Sequence, residues 1–326
     1  MSELYPLKFQ TIFKDKIWGG QKMKTVLNKD FGDLPNCGET WEISGVEGNI
    51  SIVSEGSLQG ADLKDLLKKY KEKLVGKSVY KKFGNEFPLL VKFIDANDDL
   101  SVQVHPNDDL AMKRHNSFGK TEMWYIFQAD EHATLNSGFN RPLTREQYLE
   151  YFNEGKLMEI LNIDRVKADD VYFLPAGRVH YIGKGCLLAE IQQTSDVTYR
   201  IYDFDRTDNA GNKRALHTEE SIEAIDFTFR EHYKTQYTDK ENEVVPLVSC
   251  EYFTTNKLHY YRETDRDHSN LDSFVIYVCM EGDLSMKYDG GAIDMQKGEA
   301  ILVPASISKL TLCPRGEFKL LESYID

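Results

Sequence analysis

A glutamine and a histidine stand two residues apart in the stretch LSVQVHPND, which covers residues 100–108. Side chains two positions apart in a β-strand lie on the same face, so Gln103 and His105 share one face, with Val102 and Val104 on the other. An amide beside an imidazole is either a hydrogen-bonded polar patch in a β core or half of a metal site. These two residues alone leave both interpretations open.

Two further residues extend this pair to a set of two imidazoles, a carboxylate and an amide. Glu122 begins the strand-like stretch EMWYIFQA, and His180 closes PAGRVH, in which proline and glycine predict a tight turn. Strands distant in sequence line one interior when a sheet closes into a barrel, so the four side chains can converge. Such donors suit a divalent first-row metal, with zinc the leading candidate. Each residue alone is more often structural, and the case for a metal depends on the four together.

The elements that would position these residues are mostly β-strands. Short apolar runs broken by Gly, Asn, Asp and Pro are typical of an all-β fold. Two stretches predict helices instead: GADLKDLLKKYKEKLVG, with leucines at helical spacing, and PLTREQYLEYFNEGKLMEILNI, in which Thr144 and Gln147 form a capping-box pattern. A polar segment near residues 233–245 predicts a domain boundary, which divides the chain into domains 1–235 and 236–326.

An internal repeat relates these two domains. The stretch KADDVYFLPAGRVHYIG aligns with QKGEAILVPASISKLTL, which places Pro175 on Pro304 and His180 on Lys309. Upstream, WYIFQADEHATL aligns with IYVCMEGDLSM, which places Trp124 on Ile276. Two residues before these, Glu122 falls on Phe274. The alignment predicts one β unit used twice, with a helical insertion in the first copy. It also predicts that the second copy is blank where the first is polar, so that only the first copy binds metal.

Composition narrows the classes of partner. The 326 residues include 40 basic and 53 acidic side chains, and the net charge of -13 disfavours nucleic acid and anionic membranes as partners. The five cysteines are scattered, which is typical of a reducing compartment and predicts a cytoplasmic protein. The sequence shows no secretory signal and no apolar run long enough to span a membrane. A small anionic substrate fits only where lysines and arginines cluster locally.

Three segments carry a resemblance to a known family: PLLVKFIDANDDLSVQVHPND, GKTEMWYIF and LPAGRVHYIGKGCLLAEIQQTSDVTYRIYDFDR. They resemble the type I mannose-6-phosphate isomerases in their short bacterial form, a family within the cupin superfamily. The similarity runs from about Leu7 to Phe227 and continues more weakly to the C-terminus. It implies a mainly β fold of two cupin-type jelly-roll barrels, with helical insertions in the N-terminal half. One departure is Asp169, which stands where cupins carry a glycine before the proline turn.

The resemblance also implies an activity and roles for residues. The activity is interconversion of mannose 6-phosphate, a small anionic sugar phosphate, and fructose 6-phosphate through an enediolate. One zinc ion per chain would be bound by a set of four ligands: Gln103, His105, Glu122 and His180. The family's catalytic arginine falls on Arg200, for which the alternative is an ion pair with Asp203 or Asp205. Glu190 and Lys120, the acid–base candidates nearest the motifs, are both retained as the general base.

The phosphate group of such a substrate requires cations in an otherwise acidic protein. Lys92, Lys120 and Arg178 lie within the motif segments and are the predicted substrate-binding residues. Two other functions stay open: another metal-dependent cupin enzyme, such as a dioxygenase or a different sugar-phosphate isomerase, and a non-catalytic sugar-phosphate-binding cupin. The sequence leaves the oligomeric state undetermined.

Overall fold

The computed structural model describes residues 4–207 and 211–326. The strands of the first half are β1 (Ile12–Lys14), β2 (Glu39–Ile43), β3 (Leu89–Asp95), β4 (Val102–Val104), β5 (Glu122–Ala129), β6 (Thr134–Phe139), β7 (Leu161–Arg165), β8 (Val171–Leu174), β9 (His180–Ile182), β10 (Cys186–Gln193) and β11 (Tyr199–Tyr202). The strands of the second half are β12 (Val244–Ser249), β13 (Thr254–Tyr260), β14 (Thr264–Asp267), β15 (Val275–Glu281), β16 (Asp283–Tyr288), β17 (Gly291–Gln296), β18 (Ala300–Val303), β19 (Lys309–Pro314) and β20 (Phe318–Tyr324).

The helices of the described chain all precede β12. They are α1 (Lys22–Thr25), α2 (Leu63–Tyr70), α3 (Glu72–Val75), α4 (Lys77–Phe83), α5 (Asp108–His115), α6 (Arg145–Asn153) and α7 (Thr218–Ala224), with a 3-10 turn at Leu157–Ile160. The capping box at the start of α6 is confirmed, because Gln147 N donates to Thr144 Oγ1 at 3.2 Å and Thr144 N donates to Gln147 Oε1 at 2.9 Å. The first predicted helix is divided into short helices, since Lys71 has a positive φ of 48°.

Each half forms two antiparallel sheets, and the strand order of the second half matches that of the first apart from β1 and β11, which are additional edge strands of the first half. The first pair has the orders β1-β2-β3-β10-β5-β8 and β11-β4-β9-β6-β7, and the second pair has the orders β12-β13-β20-β15-β18 and β14-β19-β16-β17. Reading the orders against each other makes β20 the equivalent of β10, β15 of β5, β18 of β8 and β14 of β4. The predicted mainly β fold of two jelly-roll barrels, with helical insertions in the N-terminal half, is therefore confirmed.

The two prolines of the predicted repeat occupy equivalent places in this topology. Pro175 directly follows β8, and Pro304 directly follows β18. Strand β8 pairs with β5, and β18 pairs with its equivalent, β15. The predicted reuse of one β unit is thus confirmed at the level of the strand order.

The strand register corrects the repeat alignment for Glu122. Glu122 pairs with Leu174, the residue before the first proline, whereas Val275 pairs with Val303, the residue before the second proline. The equivalent of Glu122 is therefore Val275, and the prediction of Phe274 is wrong by one residue. A one-residue shift turns a side chain to the other face of a sheet, and here both faces of β15 are apolar, so the sequence pattern could not fix the register.

The same correction applies to His180. Gln103 pairs with His180 in the first barrel, and Arg266 pairs with Leu310 in the second. Leu310 is buried in the core of the second barrel, whereas the predicted equivalent, Lys309, is exposed. The turn after the second proline is one residue longer, which places Leu310 rather than Lys309 on the inner face.

The second barrel is apolar at the positions of Glu122 and His180, as predicted, because Val275 and Leu310 stand there. Its interior is nevertheless polar at another place. Glu322 on β20 is buried and binds Arg266 through both carboxylate oxygens, with nitrogen–oxygen distances of 2.9 and 2.7 Å. Tyr277 donates its hydroxyl hydrogen to Glu322 at 2.8 Å, and His268 lies 2.8 Å from the same hydroxyl. The second barrel therefore lacks a set of metal ligands, because Val275 and Leu310 stand where the first barrel has Glu122 and His180.

Asp169, the departure from the cupin glycine, connects the two barrels. Its φ of 72° lies in the left-handed region, as does that of its repeat counterpart Gly298, at 85°. The Asp169 carboxylate accepts a hydrogen bond from Tyr125 and lies 3.4 Å from Lys319 Nζ and 3.7 Å from Lys257 Nζ. Ion pairs to the second barrel thus accompany the backbone strain of a non-glycine residue here.

Contacts across the middle of the chain leave the exact domain boundary a prediction. Lys234 forms a bridge to Tyr172 in the first barrel, while β12 of the second barrel begins at Val244. Near the N-terminus, Leu7 pairs with Leu302 on β18. One hydrophobic core contains residues of both halves, including Phe87 and Phe274, whose ring centroids lie 4.8 Å apart.

None of the helices in the two described ranges has the length and apolar character that a membrane crossing requires. The five cysteines are free thiols. The cytoplasmic location inferred from cysteine usage stays a prediction.

Candidate metal centre and active site

The four predicted metal ligands converge inside the first barrel. Gln103 on β4 lies directly opposite His180 on β9, so their side chains share the inner face. His105 directly follows β4, and Glu122 begins β5 in the facing sheet. The Glu122 carboxylate lies 3.3 Å from His105 Nε2 and 3.6 Å from His180 Nε2, and Gln103 Nε2 lies 3.2 Å from His180 Nε2. The folding of the barrel therefore brings together residues that the sequence separates by up to 77 positions.

Main-chain carbonyls orient both imidazoles. His105 Nδ1 lies 2.9 Å from the Val197 carbonyl oxygen, and His180 Nδ1 lies 2.8 Å from the Arg178 carbonyl oxygen. A carbonyl only accepts, so each Nδ1 carries the hydrogen and each Nε2 turns its lone pair toward Glu122. Burial, followed by the charge of Lys120, lowers the pKa of His105 to about 3, and burial also lowers the pKa of His180. Both rings are therefore neutral at pH 7, as metal ligands must be.

The Glu122 carboxylate is the negative centre of the site. It is fully buried, and its Oε2 accepts no hydrogen bond from the described residues. Lys120 Nζ forms an ion pair with it at 2.7 Å and lies 3.1 Å from His105 Nε2. Burial alone would raise the pKa of Glu122, but the charge of Lys120 and contacts with His105 hold it well below its ordinary value.

This donor set fits a divalent cation. Nitrogen and oxygen donors of His105, Glu122 and His180 all lie within 4.8 Å of one another. Two neutral imidazoles, each with an unprotonated Nε2, face the ionised Glu122 carboxylate, and this combination of nitrogen and oxygen donors is one that divalent metals bind. Gln103 can present its amide oxygen to the same point, because the two ends of an amide exchange by a rotation of 180°.

A second buried charge pair lies beside this centre on the facing sheet. Glu190 on β10 stands between Lys92 on β3 and Trp124 on β5. Its carboxylate lies 3.0 Å from Lys92 Nζ and accepts a hydrogen bond of 2.8 Å from Trp124 Nε1. Burial, followed by the charge of Glu122, raises the pKa of Glu190. Lys92, a predicted substrate-binding residue, is thus ion-paired with Glu190.

Arg200 lies next to the metal-ligand set. It stands on β11 directly opposite Gln103, so it shares the inner face of the sheet. Its Nη1 donates to the Ala215 carbonyl at 2.9 Å, while its Nε is buried without a partner. Burial, followed by the charge of Arg214, lowers the pKa of Arg200.

The acidic residues proposed as alternative partners of Arg200 are paired with other cations. Asp203 binds Arg206 at 2.6 Å and Arg214 at 2.8 Å, and Asp205 binds Lys213 at 2.7 Å. An ion pair between Arg200 and either aspartate is not formed in the part of the chain that the structure describes. The geometry therefore gives no support to the structural alternative for Arg200.

Arg178, the third predicted substrate-binding cation, is buried in front of β9. Its guanidinium carbon lies 4.8 Å from the ring centroid of Tyr233, and Nη1 lies 3.5 Å from the Phe173 carbonyl oxygen. Burial and the nearby charge of Arg230 lower the pKa of Arg178. Arg178 and Arg230 are two neighbouring positive charges, and an anion bound between them would be held by both.

The sequence interpretation missed Trp124 and Arg214. Trp124 stands two residues after Glu122, so the period of two would have placed it on the same inner face. Its ring packs against His180 with centroids 5.3 Å apart, in addition to its hydrogen bond to Glu190. No sequence signal points to Arg214, which binds Asp203 from further along the same connection between β11 and α7.

Comparisons with known proteins agree with the geometry. The family model for the catalytic domain of phosphomannose isomerase type I matches residues 6–132, and the model for the cupin domain of mannose-6-phosphate isomerase matches residues 243–325. The chain is 35% identical to mannose-6-phosphate isomerase of Streptococcus mutans over 306 residues, 93% of each chain. It is also 35% identical to mannose-6-phosphate isomerase ManA of Bacillus subtilis over 327 residues, 98% of this chain and 97% of the relative.

Solved structures show the same fold. The crystal structure of mannose 6-phosphate isomerase from Bacillus subtilis superposes with a TM-score of 0.88 at 30% identity and covers 98% of this chain and 99% of that chain. A putative mannosephosphate isomerase from Archaeoglobus fulgidus superposes with a TM-score of 0.78 at 21% identity, with 99% of each chain covered. The fold is therefore shared over the whole length of these chains.

Proposed function

This chain belongs to the type I phosphomannose isomerase family, and from that membership we propose that it interconverts mannose 6-phosphate and fructose 6-phosphate. The observation that carries the proposal is the convergence of Gln103, His105, Glu122 and His180, with Arg200 beside them on the same inner face. A barrel that only supported the fold would not need an ionised carboxylate and two neutral imidazoles in contact at its centre.

The four converging residues would hold one divalent metal, for which zinc is the leading candidate. When bound, the metal supplies positive charge that polarises the sugar oxygens and stabilises negative charge on them. The protein's part is to fix the donors. The Val197 and Arg178 carbonyls hold the two imidazoles, and burial keeps both rings neutral.

The reaction moves a proton between carbon 1 and carbon 2 through an enediolate. Arg200 would stabilise the negative charge of this intermediate, because a guanidinium keeps its proton and its Nε is free to donate. Its place opposite Gln103 puts the charge one strand from the metal ligands.

Glu190 would be the general base of this proton transfer. Its raised pKa lies closer to neutral pH than that of an ordinary glutamate, and a general base is most effective when its pKa is near the working pH. Lys92 and Trp124 fix the direction of the carboxylate. Lys120, the other candidate, is ion-paired with Glu122 and would contact the substrate. Glu190→Gln should therefore abolish turnover while the metal stays bound, whereas a variant with nearly normal kcat would contradict this role.

The phosphate group would be bound by cations at the edge of the centre. Arg178 beside Arg230 is one such position, and Lys120 contributes charge close to the ligands. Lys92 would act on the substrate through Glu190. Arg178→Ala should then raise KM for mannose 6-phosphate more than it lowers kcat.

A coupled assay that converts mannose 6-phosphate to fructose 6-phosphate tests the proposed function. Activity should disappear with a chelator and return with Zn²⁺ but with no requirement for oxygen. Binding of the sugar phosphate without turnover would identify a non-catalytic cupin instead. Oxygen uptake that depends on iron would identify a dioxygenase.

A further inference from the structure

Gln192 is a buried amide that the reaction described above does not use. It stands on β10 directly opposite Glu122, so both side chains start from the same inner face of the sheet. It is fully buried, and its Oε1 has no hydrogen-bond partner. An unpaired buried acceptor is destabilising, so packing alone would favour an apolar residue here.

Both amide hydrogens of Gln192 are directed at the loop that follows β10. Nε2 donates to the Gln193 carbonyl at 2.8 Å and to the Ser195 carbonyl at 2.6 Å. A primary amide has two N–H groups, so both donors of this side chain are used to bind one turn of the backbone. The Ser195 amide closes the same turn with a bond of 2.8 Å to the Gln193 carbonyl.

This loop carries the carbonyl that orients a metal ligand. Val197 N donates to Ser195 Oγ at 3.4 Å, and the Val197 carbonyl oxygen lies 2.9 Å from His105 Nδ1. Between β10 and β11, Thr194 N donates to the Pro88 carbonyl at 2.9 Å, and the side chains of Gln192 and Ser195 bind the rest of the turn. The contacts run from Gln192 through Ser195 and Val197 to His105.

We propose that Gln192 is a positioning residue of the metal centre: it fixes the 193–197 loop so that the Val197 carbonyl holds His105 with Nε2 toward Glu122. The inference rests on the proposed metal site. Loss of a group that orients a metal ligand typically weakens metal binding about 10- to 100-fold. The same loss should appear for Gln192→Met, which keeps the length of the side chain and removes both donors.

Two measurements on Gln192→Met test the proposal. Chelator competition should show Zn²⁺ bound about 10- to 100-fold more weakly than by the wild-type protein. In the metal-free protein, NMR of ¹⁵N-labelled histidine should show His105 as the Nδ1–H tautomer in the wild type and as a mixture of tautomers in the variant. The second readout needs no metal and no activity, so it separates this inference from the proposed function.

Asn136 on β6 offers a matched control. It is fully buried, its Nδ2 donates to the Gly138 and Asn162 carbonyls at 2.8 Å each, and its Oδ1 has no partner. Asn136→Leu should melt earlier yet keep the wild-type Zn²⁺ affinity. Gln192→Met that melts earlier but keeps both the affinity and the His105 tautomer would overturn the proposal. Wild-type protein that binds no Zn²⁺ while His105 responds as predicted would instead count against the metal site alone.

Discussion

Glu190 and Glu322 occupy equivalent positions in the two barrels. Each lies on the strand that pairs with β5 or its equivalent β15, directly opposite an aromatic residue. Trp124 Nε1 donates to Glu190 Oε2 at 2.8 Å, and the Tyr277 hydroxyl donates to Glu322 Oε2 at the same distance. The buried glutamate with an aromatic donor is therefore common to both copies of the repeat.

The cation beside this glutamate differs between the barrels. Glu190 is paired with Lys92 of the neighbouring strand through one contact, whereas Glu322 is held through both oxygens by Arg266 of the facing sheet. Arg266 pairs with Leu310 as Gln103 pairs with His180, so an arginine stands where the first barrel has a metal ligand. A permanent side-chain cation thus neutralises the core of the second barrel.

The first prediction concerns the number of metal ions. Purified protein should contain one divalent metal per chain, because only the first barrel combines Glu122 with two imidazoles. Elemental analysis should find the metal lost in His180→Ala and retained in His268→Ala, the matched histidine of the second barrel. Two metals per chain, or a fully loaded His180→Ala, would refute the assignment.

The second prediction concerns Arg200. Arg200→Ala should lower kcat on the order of 10² to 10³-fold, the range for one preorganised electrostatic group, and leave KM and metal content nearly unchanged. The melting temperature should change little, since Asp203 is bound by Arg206 and Arg214. Arg200→Lys should recover only part of the activity because it lacks the planar fork.

Steady-state kinetics and a thermal melt, run together on each variant, check this prediction. Arg165→Ala, at an exposed position on β7, is the control and should behave as the wild type. An unchanged kcat with a lowered melting temperature in Arg200→Ala would show that the residue is structural.

The third prediction concerns Arg266. Arg266→Met leaves the buried Glu322 without its cation, and breaking a buried pair from one side costs about 3–5 kcal/mol. Urea unfolding should show this loss in the free energy of unfolding, while the folded fraction keeps its kcat and metal. Arg262→Met, on the exposed side of the same barrel, should cost little. A loss of metal from folded Arg266→Met would contradict the separation of the two barrels.

The fourth prediction concerns pH. Burial lowers the pKa of His268 below its ordinary 6.5, although the charge of Glu322 opposes the shift. Below pH 6.5 the unfolded chain binds a proton at His268 that the folded protein does not, so the free energy of unfolding falls as the pH falls. The contribution is complete above pH 6.5, and the loss stops once the pH passes below the folded pKa. Its slope is at most about 1.4 kcal/mol per pH unit.

Denaturant unfolding of the wild type and His268→Gln between pH 5 and 7 measures this contribution. The variant should lose less stability on acidification than the wild type does. His132→Gln, at an exposed histidine, should keep the wild-type slope. Parallel slopes in the wild type and His268→Gln would exclude a role for His268.

The sequence by itself determined the chemical types and local faces of the site. The period of two in LSVQVHPND put Gln103 and His105 on one face, and the structure confirms it. Thr144 and Gln147 predicted the start of a helix because a capping box depends only on residues three positions apart. The repeated proline turn predicted that one β unit is used twice. These features are local, so local pattern sufficed.

Tertiary structure alone decided the register and the partners. Both faces of β15 are apolar, so the pattern could not distinguish Phe274 from Val275 as the equivalent of Glu122. Asp203 is close to Arg200 in sequence, yet the structure pairs it with Arg206 and Arg214 instead. Gln192 is linked to His105 only through the turn that its amide binds. For the register and for Gln192, the deciding distances join segments that are remote along the chain, and those distances are set by the packing of the two sheets.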